Sequence, residues 1–287
     1  MAVVEDQTEE DPTSGTLLSV VIPTTHRVAA VLDLVRQIRA TTPVPTSITV
    51  VDNGPSATQG GWETLDGKLI VREVFLGSEQ AFALGLSCAP TAKWYLLLDH
   101  DARLSEDSLS TLLGSASDGN AVYSANQDGE GISWDRRNGR TPGPRDLSPA
   151  LIPVEFAPWS GLLLNPTAAG IVSSLNSGFF FYWDDYLACW ALRRAGLRIW
   201  GVPAAVVGNE RLPNDWLSPW RAYYNARNHI LFHRQTGSGG RVELILVRGK
   251  DLVMASFGKR RLERVRAIAR GICDGLADRR GPLMVPT

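Results

Sequence analysis

Cysteine is scarce in this 287-residue chain. Cys88, Cys189 and Cys273 are odd in number, far apart and without a Cys-x-x-Cys pair. That excludes a disulfide framework and argues against a zinc site, and it fits a reducing cytoplasm. An excess of charge of one sign is also missing. Lys and Arg number 29 against 30 Asp and Glu, a formal net charge of −1, so the chain carries no electrostatic footprint of a nucleic-acid partner. No internal repeat is visible, and no Gly-x-Gly-x-x-Gly follows the first apolar run, which disfavours a dinucleotide-dependent oxidoreductase. A basic leader is absent too: Met1 opens a stretch holding Glu5, Asp6, Glu9, Glu10 and Asp11 but no Lys or Arg, read here as a disordered acidic tail. The one long charge-free stretch, Phe156 to Trp183, is interrupted by Pro158, Asn165, Pro166, Ser173, Ser174 and Asn176, so it reads as buried interior and not as a membrane span.

What is present is an alternation of periods. Leu17 to Ile22 is a short apolar run closed by Pro23, after which Val28, Val31, Leu32, Val35 and Ile38 recur at helical spacing. Ile48 to Val51 repeats the strand pattern and ends in the turn formers Asp52-Asn53-Gly54-Pro55. Leu69 to Phe75, Trp94 to Leu98, Ala121 to Ala125 and Trp200 to Val207 read as further strands, and Glu79 to Cys88 as a helix. Ser105 is placed as the N-cap of a helix carrying Leu109, Leu112 and Leu113, and Leu187, Trp190 and Ala191 form another closed by Gly196. Strands alternating with helices predict an α/β fold, a mainly parallel sheet flanked by helices, with a helical C-terminal extension. The expected organisation is a tail over 1–16, a catalytic domain over 17–236 and the extension over 237–287. Asn126 to Pro149, rich in Gly, Asp, Arg and Pro, is expected to be a long surface loop.

Polar residues gather at the predicted strand ends. Asp99-His100-Asp101 follows a strand in an open α/β sheet, where ligands bind. Two carboxylates one residue apart can hold a divalent cation on a diphosphate, or can be solvated turn residues. Asp52 ends a second strand, where its oxygens could accept from a pyrimidine N–H or a ribose hydroxyl, and Pro23-Thr24-Thr25-His26-Arg27 ends a third. Asp184 and Asp185 open a helix behind the aromatic run Phe179 to Trp183, as capping carboxylates or as a general base. His229 and His233 stand at i and i+4 on a helix, a spacing that suits either metal ligation or ordinary packing.

The order of these motifs resembles the family 2 glycosyltransferases of the GT-A (Rossmann-like) fold, and more narrowly the galactofuranosyltransferase and rhamnosyltransferase branch. The motifs are Ser19 to Arg27, Val50-Val51-Asp52-Asn53-Gly54, Leu97 to Asp101, Trp183-Asp184-Asp185 with Leu192 to Gly196, and Tyr223-Tyr224-Asn225-Ala226-Arg227-Asn228. The resemblance implies that Thr24, Arg27, Asp52, Asp99 and Asp101 hold a UDP- or dTDP-sugar, with Mg²⁺ or Mn²⁺ on its diphosphate. It implies that Trp159, Ser160, Gly161, Trp183 and Asp184 line a sugar and acceptor pocket, with Arg227 and Asn228 contacting diphosphate or acceptor. Asp185 is implied as the base that deprotonates a hydroxyl of a glycan, lipid-linked or small-molecule acceptor. Where relatives present a further His ligand, Gly208-Asn209 stands here, giving Asp99, Asp101 and Asn209 as the metal set and leaving metal dependence open. The rival reading is a degenerate nucleotide- or carbohydrate-binding module. Arg260, Arg261, Arg264, Arg266 and Arg270 interleaved with Leu262, Val265, Ile268, Ala269 and Ile272 form an amphipathic helix. It is expected to pack on the core, to touch a membrane peripherally through 259–280, or to form a homodimer.

Overall fold

The computed structural model of the chain describes residues 16–55, 60–117, 119, 121–127, 151–209, 218–237, 249 and 261–283. The acidic tail up to residue 15, most of the 126–149 loop, Trp216, and Lys259 and Arg260 of the basic segment lie outside the described residues. The chain divides into two compact units, one drawn from Met1–Leu76, Gln80–Leu175 and Ala188–Glu210, the other from Gly77–Glu79, Asn176–Leu187 and Arg211–Thr287.

The first unit is built on one nine-stranded sheet. Its strands are β1 (Leu18–Thr24), β2 (Thr46–Asn53), β3 (Lys68–Arg72), β4 (Trp94–Leu97), β5 (Ala102–Leu104), β6 (Ala121–Gln127), β7 (Ile152–Pro153), β8 (Leu162–Leu164) and β9 (Arg198–Asn209). They run in the order β3-β2-β1-β4-β8-β6-β9-β5, with β7 beside β9. The long ladders, β1 with β2 and β6 with β9, are parallel, as are β1 with β4 and β2 with β3. The antiparallel ladders, β4–β8, β5–β9, β6–β8 and β7–β9, extend only two or three residues each. The sheet is thus mixed but mostly parallel, and every residue of β1 is buried, as expected of a parallel strand covered on both faces.

Alternate side chains of β1 feed two different cores. Leu18, Val20 and Ile22 join Ile48, Val50 and the helix α1 (Val28–Thr41), whose Val31, Leu34, Val35 and Ile38 fall on one face by the 3.6-residue period. Val21 points the other way and joins Leu97, Leu162, Phe82 of α2 (Ser78–Cys88), and Ala188 and Leu192 of α5 (Asp184–Arg194). Two short helices complete the set within the first unit, α3 (Ser108–Ser115) and α4 (Pro166–Ser173).

Three elements differ from the sequence expectation. β3 stops at Arg72 and does not reach Phe75. Helix α3 starts at Ser108, because Ser105 uses its backbone N–H to donate to the Ser108 hydroxyl at 2.9 Å instead of capping. Asn165 and Pro166 are not merely interruptions of an apolar stretch. Asn165 accepts from the Ala168 N–H at 2.7 Å and Pro166 supplies a fixed φ in the first turn, so the pair initiates α4. No helix among the described residues is long and apolar enough to cross a membrane.

In the second unit α6 (Pro219–Thr236) lies against α7 (Arg261–Leu276). The apolar stripe read from the sequence packs in part: Ile268 is buried with Ala226 of α6, and Val265 and Ile272 pack beside it, while Leu262 is 65% exposed and α7 also buries Arg264, Ala267, Gly271, Asp274 and Gly275. Small residues allow this. A Cβ on Gly271 would collide with the Tyr223 carbonyl oxygen, and one on Gly275 would sit 2.8 Å from that of Arg227, so the two glycines let α7 lie on the backbone of α6. Gly271→Ala should therefore destabilise the protein by about 1–3 kcal/mol through overpacking. Gly170→Ala, in mid-helix of α4 with open space around it, should stabilise by about 0.5–1 kcal/mol. Urea unfolding of the two variants checks the opposite signs.

Candidate active site

The parallel register brings the carboxyl ends of β1, β2 and β4 to one edge of the sheet, with Thr24 opposite Asp52 and Val21 opposite Leu97. At the β1 end, the buried Thr24 hydroxyl accepts from the Arg27 N–H at 3.0 Å, shaping the turn that leaves Arg27 exposed. Asp52 is fully buried. Its Oδ1 accepts from the His26 N–H at 2.7 Å, and its Oδ2 lies 2.8 Å from His26 Nδ1 and 2.9 Å from the donating Trp62 Nε1. The carboxylate expected to meet a nucleotide is instead engaged by protein donors. It holds His26 in a left-handed conformation, φ 61°, with 17% of that side chain exposed. Asn53 completes the corner, donating to the Thr24 carbonyl at 2.8 Å and accepting from the Leu76 N–H at 3.1 Å.

Asp99 and Asp101 follow β4, and β8 returns antiparallel beside it with Leu162 opposite Leu97. That places Trp159-Ser160-Gly161 next to the carboxylates. The Gly161 N–H donates to Leu97 O at 2.8 Å, its carbonyl accepts from Ala125 N at 2.9 Å, and its φ of 82° beside Ala125 requires glycine. Ser160 is buried and its hydroxyl accepts from the Asp99 N–H and donates to Asn209 Oδ1, each at 3.3 Å. Asn209 arrives because β9 pairs antiparallel with β5, setting it opposite Ala102, the neighbour of Asp101. Asp99, Asp101, Ser160 and Asn209 are therefore brought together from three chain segments. Trp159 is a correction to the pocket expectation. It is 6% exposed and packs on Phe82 with ring centroids 5.3 Å apart, so it belongs to the core.

Asp99, Asp101 and Asn209 offer oxygen donors, which suit a hard cation such as Mg²⁺ or Mn²⁺ better than a soft one. Among the described residues no three His, Cys, Asp or Glu side chains gather as a metal-binding group. The amide oxygen of Asn209 joins the two carboxylates and Ser160 there. A shallow depression lined by Pro153, Arg193 and Trp200 lies where β9 begins and is lined by no carboxylate.

The second unit holds Trp183-Asp184-Asp185. Asp184 is 2% exposed and accepts from the Ser78 hydroxyl, so it anchors the start of α5 and does not line a pocket. Asp185 is half-buried and accepts from the Tyr186 N–H at 2.9 Å. The segment before them is contorted: Gly178, Phe180, Tyr182 and Trp183 all have φ between 65° and 69°. For three non-glycine residues that backbone is held against its own preference.

What holds it is the pair expected to touch substrate. Arg227 and Asn228 are both fully buried. Arg227 donates to Gly281 O at 2.7 Å, Phe179 O at 2.6 Å and Gly178 O at 3.4 Å, and through Nε to Asn228 Oδ1 at 2.8 Å. Asn228 Nδ2 donates to the carbonyls of Phe179, Phe181 and Tyr182 at 2.8, 2.6 and 3.0 Å. The rest of the signature supports the clamp. Tyr223 and Tyr224 present ring faces to the Arg227 guanidinium, at 5.6 and 4.7 Å, and Asn225 accepts from Trp183 Nε1 at 2.8 Å. Tyr223 donates to Asp274 of α7 at 2.8 Å, and burial with this bond pushes its pKa up to about 12. Burial lowers the Arg227 pKa, with Tyr223 opposing. Arg227 and Asn228 are thus corrected from substrate contacts to a carbonyl clamp. Glu79 does similar work nearby: buried at 2% exposure, it accepts from Ser177 N at 2.6 Å and from the Ser177 hydroxyl. Burial raises its pKa against those two hydrogen bonds.

The glycosyl transferase family 2 model matches residues 19–181, more than half of the sequence. The chain belongs to glycosyl transferase family 2. The match covers the Thr24, Asp52 and Asp99-x-Asp101 strand ends and stops before Asp185 and the Arg227 clamp. No curated protein matches. Among solved structures, a mannosyltransferase from Pyrobaculum calidifontis in complex with GDP-Man and Mn²⁺ aligns at a TM-score of 0.57 and 15% identity, over 93% of this chain and 89% of that one. GalNAc-T7 with UDP, GalNAc and Mn²⁺ aligns at 0.57 and 15%, over 88% of this chain and 61% of its own. A mycobacterial protein aligns at 0.54 and 13%, over 79% and 76%. These likenesses place this family 2 glycosyltransferase in the GT-A fold.

Site residues that sequence reading missed are His26, Trp62, Asn53, Glu79 and Ser177. The signals for His26 and Asn53 were their places in the quoted motifs, between Thr24 and Arg27 and next to Asp52; for the others, pairing across distant segments left none. Asn228→Ala should cost about 1–3 kcal/mol, because the carbonyls of Phe181 and Tyr182 lose their Asn228 donor while that of Phe179 keeps Arg227. A urea midpoint within error of the parent would refute the clamp. Because the Glu79 pKa is raised on folding, its ionisation penalises the native state progressively as pH rises from the unfolded value, near 4.3, to the folded one. Glu79→Gln removes that penalty, so the stability of the parent relative to the variant should improve as pH falls through this window in denaturant titrations.

Proposed function

We propose that this glycosyltransferase moves one sugar from a UDP- or dTDP-sugar to an acceptor hydroxyl with inversion, galactofuranose or rhamnose leading the donor list. The observation that carries the reading is the convergence of Asp99, Asp101, Ser160 and Asn209 at the carboxyl edge of a family 2 sheet. The solved neighbours crystallised with GDP-Man or with UDP, each with Mn²⁺, support a nucleotide-sugar donor and a divalent ion. The branch assignment rests on the motifs Trp183-Asp184-Asp185 and Tyr223 to Asn228 alone.

In this reading Asp101, Asp99 and Asn209 hold Mg²⁺ or Mn²⁺, which supplies charge neutralisation for the departing nucleoside diphosphate. Thr24 and Arg27 border the nucleotide, Arg27 being exposed and able to meet a phosphate. His26 and Asp52 act together there, because the Asp52 carboxylate fixes the His26 backbone and ring. Ser160 sets the orientation of Asn209 and of the Asp99 backbone. Asp185 takes the acceptor proton. The division between a buried Asp184 bound to Ser78 and a half-buried Asp185 supports giving the proton transfer to Asp185. Attack on the anomeric carbon from the side opposite the nucleotide breaks the sugar–phosphate bond and inverts the centre.

The acceptor is a glycan, lipid-linked or small-molecule hydroxyl. A peripheral membrane contact through 259–280 draws support from α7, where Leu262 and Leu276 are 65% and 64% exposed beside the exposed Arg261, Arg266 and Arg270.

Asp185→Asn should reduce turnover at least ~100-fold, in line with loss of a general base, while nucleotide affinity measured by calorimetry stays within twofold or so. Unchanged turnover removes Asp185 as the base. In the same calorimeter, UDP, dTDP and GDP are titrated with and without Mn²⁺ into the parent and Asp101→Ala. Metal-enhanced binding in the parent that is lost in the variant is the expected result. Absence of binding to every nucleotide would favour a degenerate, non-catalytic module.

A further inference from the structure

Helix α6 carries a second polar constellation that the proposed transfer does not use. His229 and His233 stand one turn apart, and their Nε2 atoms approach to 2.8 Å with ring centroids 4.5 Å apart. His229 is 4% exposed and His233 half-buried, so one ring is fixed by packing and the other borders solvent. Trp183 fixes the His229 ring further, stacking on it at 4.2 Å with 23° between planes. Phe232 and Tyr186 pack on the other sides of Trp183.

Two imidazole nitrogens one helical turn apart are a chelating pair when both can lie about 2.0–2.1 Å from one ion. At that bond length a 2.8 Å separation subtends roughly 85–90° at the metal, the cis angle of tetragonal and octahedral sites and narrower than a tetrahedral one. No third His, Cys, Asp or Glu joins them in a metal-binding group among the described residues. Water would fill the remaining positions. Tetragonal geometry with imidazole ligands selects Cu²⁺ or Ni²⁺ over the hard ions that Asp99 and Asp101 suit.

We propose that His229 and His233 form a bidentate binding site for a tetragonal, imidazole-preferring ion of the Cu²⁺ or Ni²⁺ class, seated beside Trp183. Neither histidine takes part in the proposed donor binding or proton transfer. The site is also chemically orthogonal to the oxygen set: Mg²⁺ and Mn²⁺ bind the histidine pair poorly. Trp183 lies on the His229 ring and directly precedes Asp184, so its emission reports an ion seated beside the start of α5.

The test uses tag-free, chelator-stripped full-length protein titrated calorimetrically with Ni²⁺, and with Cu²⁺ while tryptophan emission is followed. One ion per chain and partial quenching by Cu²⁺ are expected. Groups that merely orient a metal ligand are worth roughly 10–100-fold in affinity, so His233→Gln, which removes a ligating nitrogen, should weaken Ni²⁺ binding by roughly tenfold or more. His229→Gln should do the same, and because His229 is packed, the half-buried His233 variant carries the test if the other fails to fold. Trp183→Phe should keep the ion and lose most of the quenching. Asp101→Ala should leave Ni²⁺ binding unchanged. Equal Ni²⁺ affinity in His233→Gln and the parent overturns the site, as does loss of that binding in Asp101→Ala. Nucleotide binding with Mn²⁺, measured separately, reports on the transferase reading and not on this site.

Discussion

Everything in the second unit depends on one interaction, the donation of hydrogen bonds by Arg227 and Asn228 to the carbonyls of residues 178–182. Four residues in left-handed conformation would not persist in a short segment without external restraint, since each non-glycine residue there carries a conformational cost. The clamp supplies donors where the contorted backbone cannot supply its own. Its reach is what aligns the start of α5, turning Asp184 inward to Ser78 and leaving Asp185 half-open. A buried guanidinium is expensive, and its charge is met by several carbonyls and two tyrosine ring faces, not by a carboxylate in direct contact.

The first unit solves a different problem by sheet topology. Parallel ladders gather strand ends at one edge, and two short antiparallel returns, β8 beside β4 and β9 beside β5, deliver Ser160 and Asn209 to Asp99 and Asp101. Three chain segments meet there through backbone register, with a serine as the bridge. Asp52 shows the other use of a strand-end carboxylate: saturated by His26 and Trp62, it fixes a turn.

Much of the fold was legible in the sequence because its signals are local. The apolar runs of β1, β2, β4 and β9 and the 3.6-residue repeat of α1 each declare themselves within a dozen residues. The strand-end carboxylates were legible for the same reason. The parts that were not legible depend on partners distant in the chain. Arg227 and Asn228 looked like ligand contacts because polar residues in a motif suggest chemistry, whereas their acceptors are backbone carbonyls some 46–49 residues away, which no side-chain pattern advertises. Resemblance places Trp159 in the sugar and acceptor pocket, whereas its packing on Phe82, 77 residues away, has no local signal. On α7 the apolar residues Val265, Ile268 and Ile272 do face α6, but Leu262 stays outside, and Gly271 and Gly275 join the buried face because they let the two backbones approach closely. Asn165 and Pro166 were read as interruptions when their order was that of a helix start.

Gly281 closes the same turn from the far end of the sequence, its N–H donating to Gly178 O at 2.7 Å while its carbonyl accepts from Arg227. During synthesis, then, the turn bearing Asp184 and Asp185 must wait about a hundred residues after it is made before its last restraint leaves the ribosome. The first unit draws on no residue beyond Glu210. Every strand of the sheet has therefore been synthesised some seventy residues before the residue that closes the turn beside the second carboxylate pair.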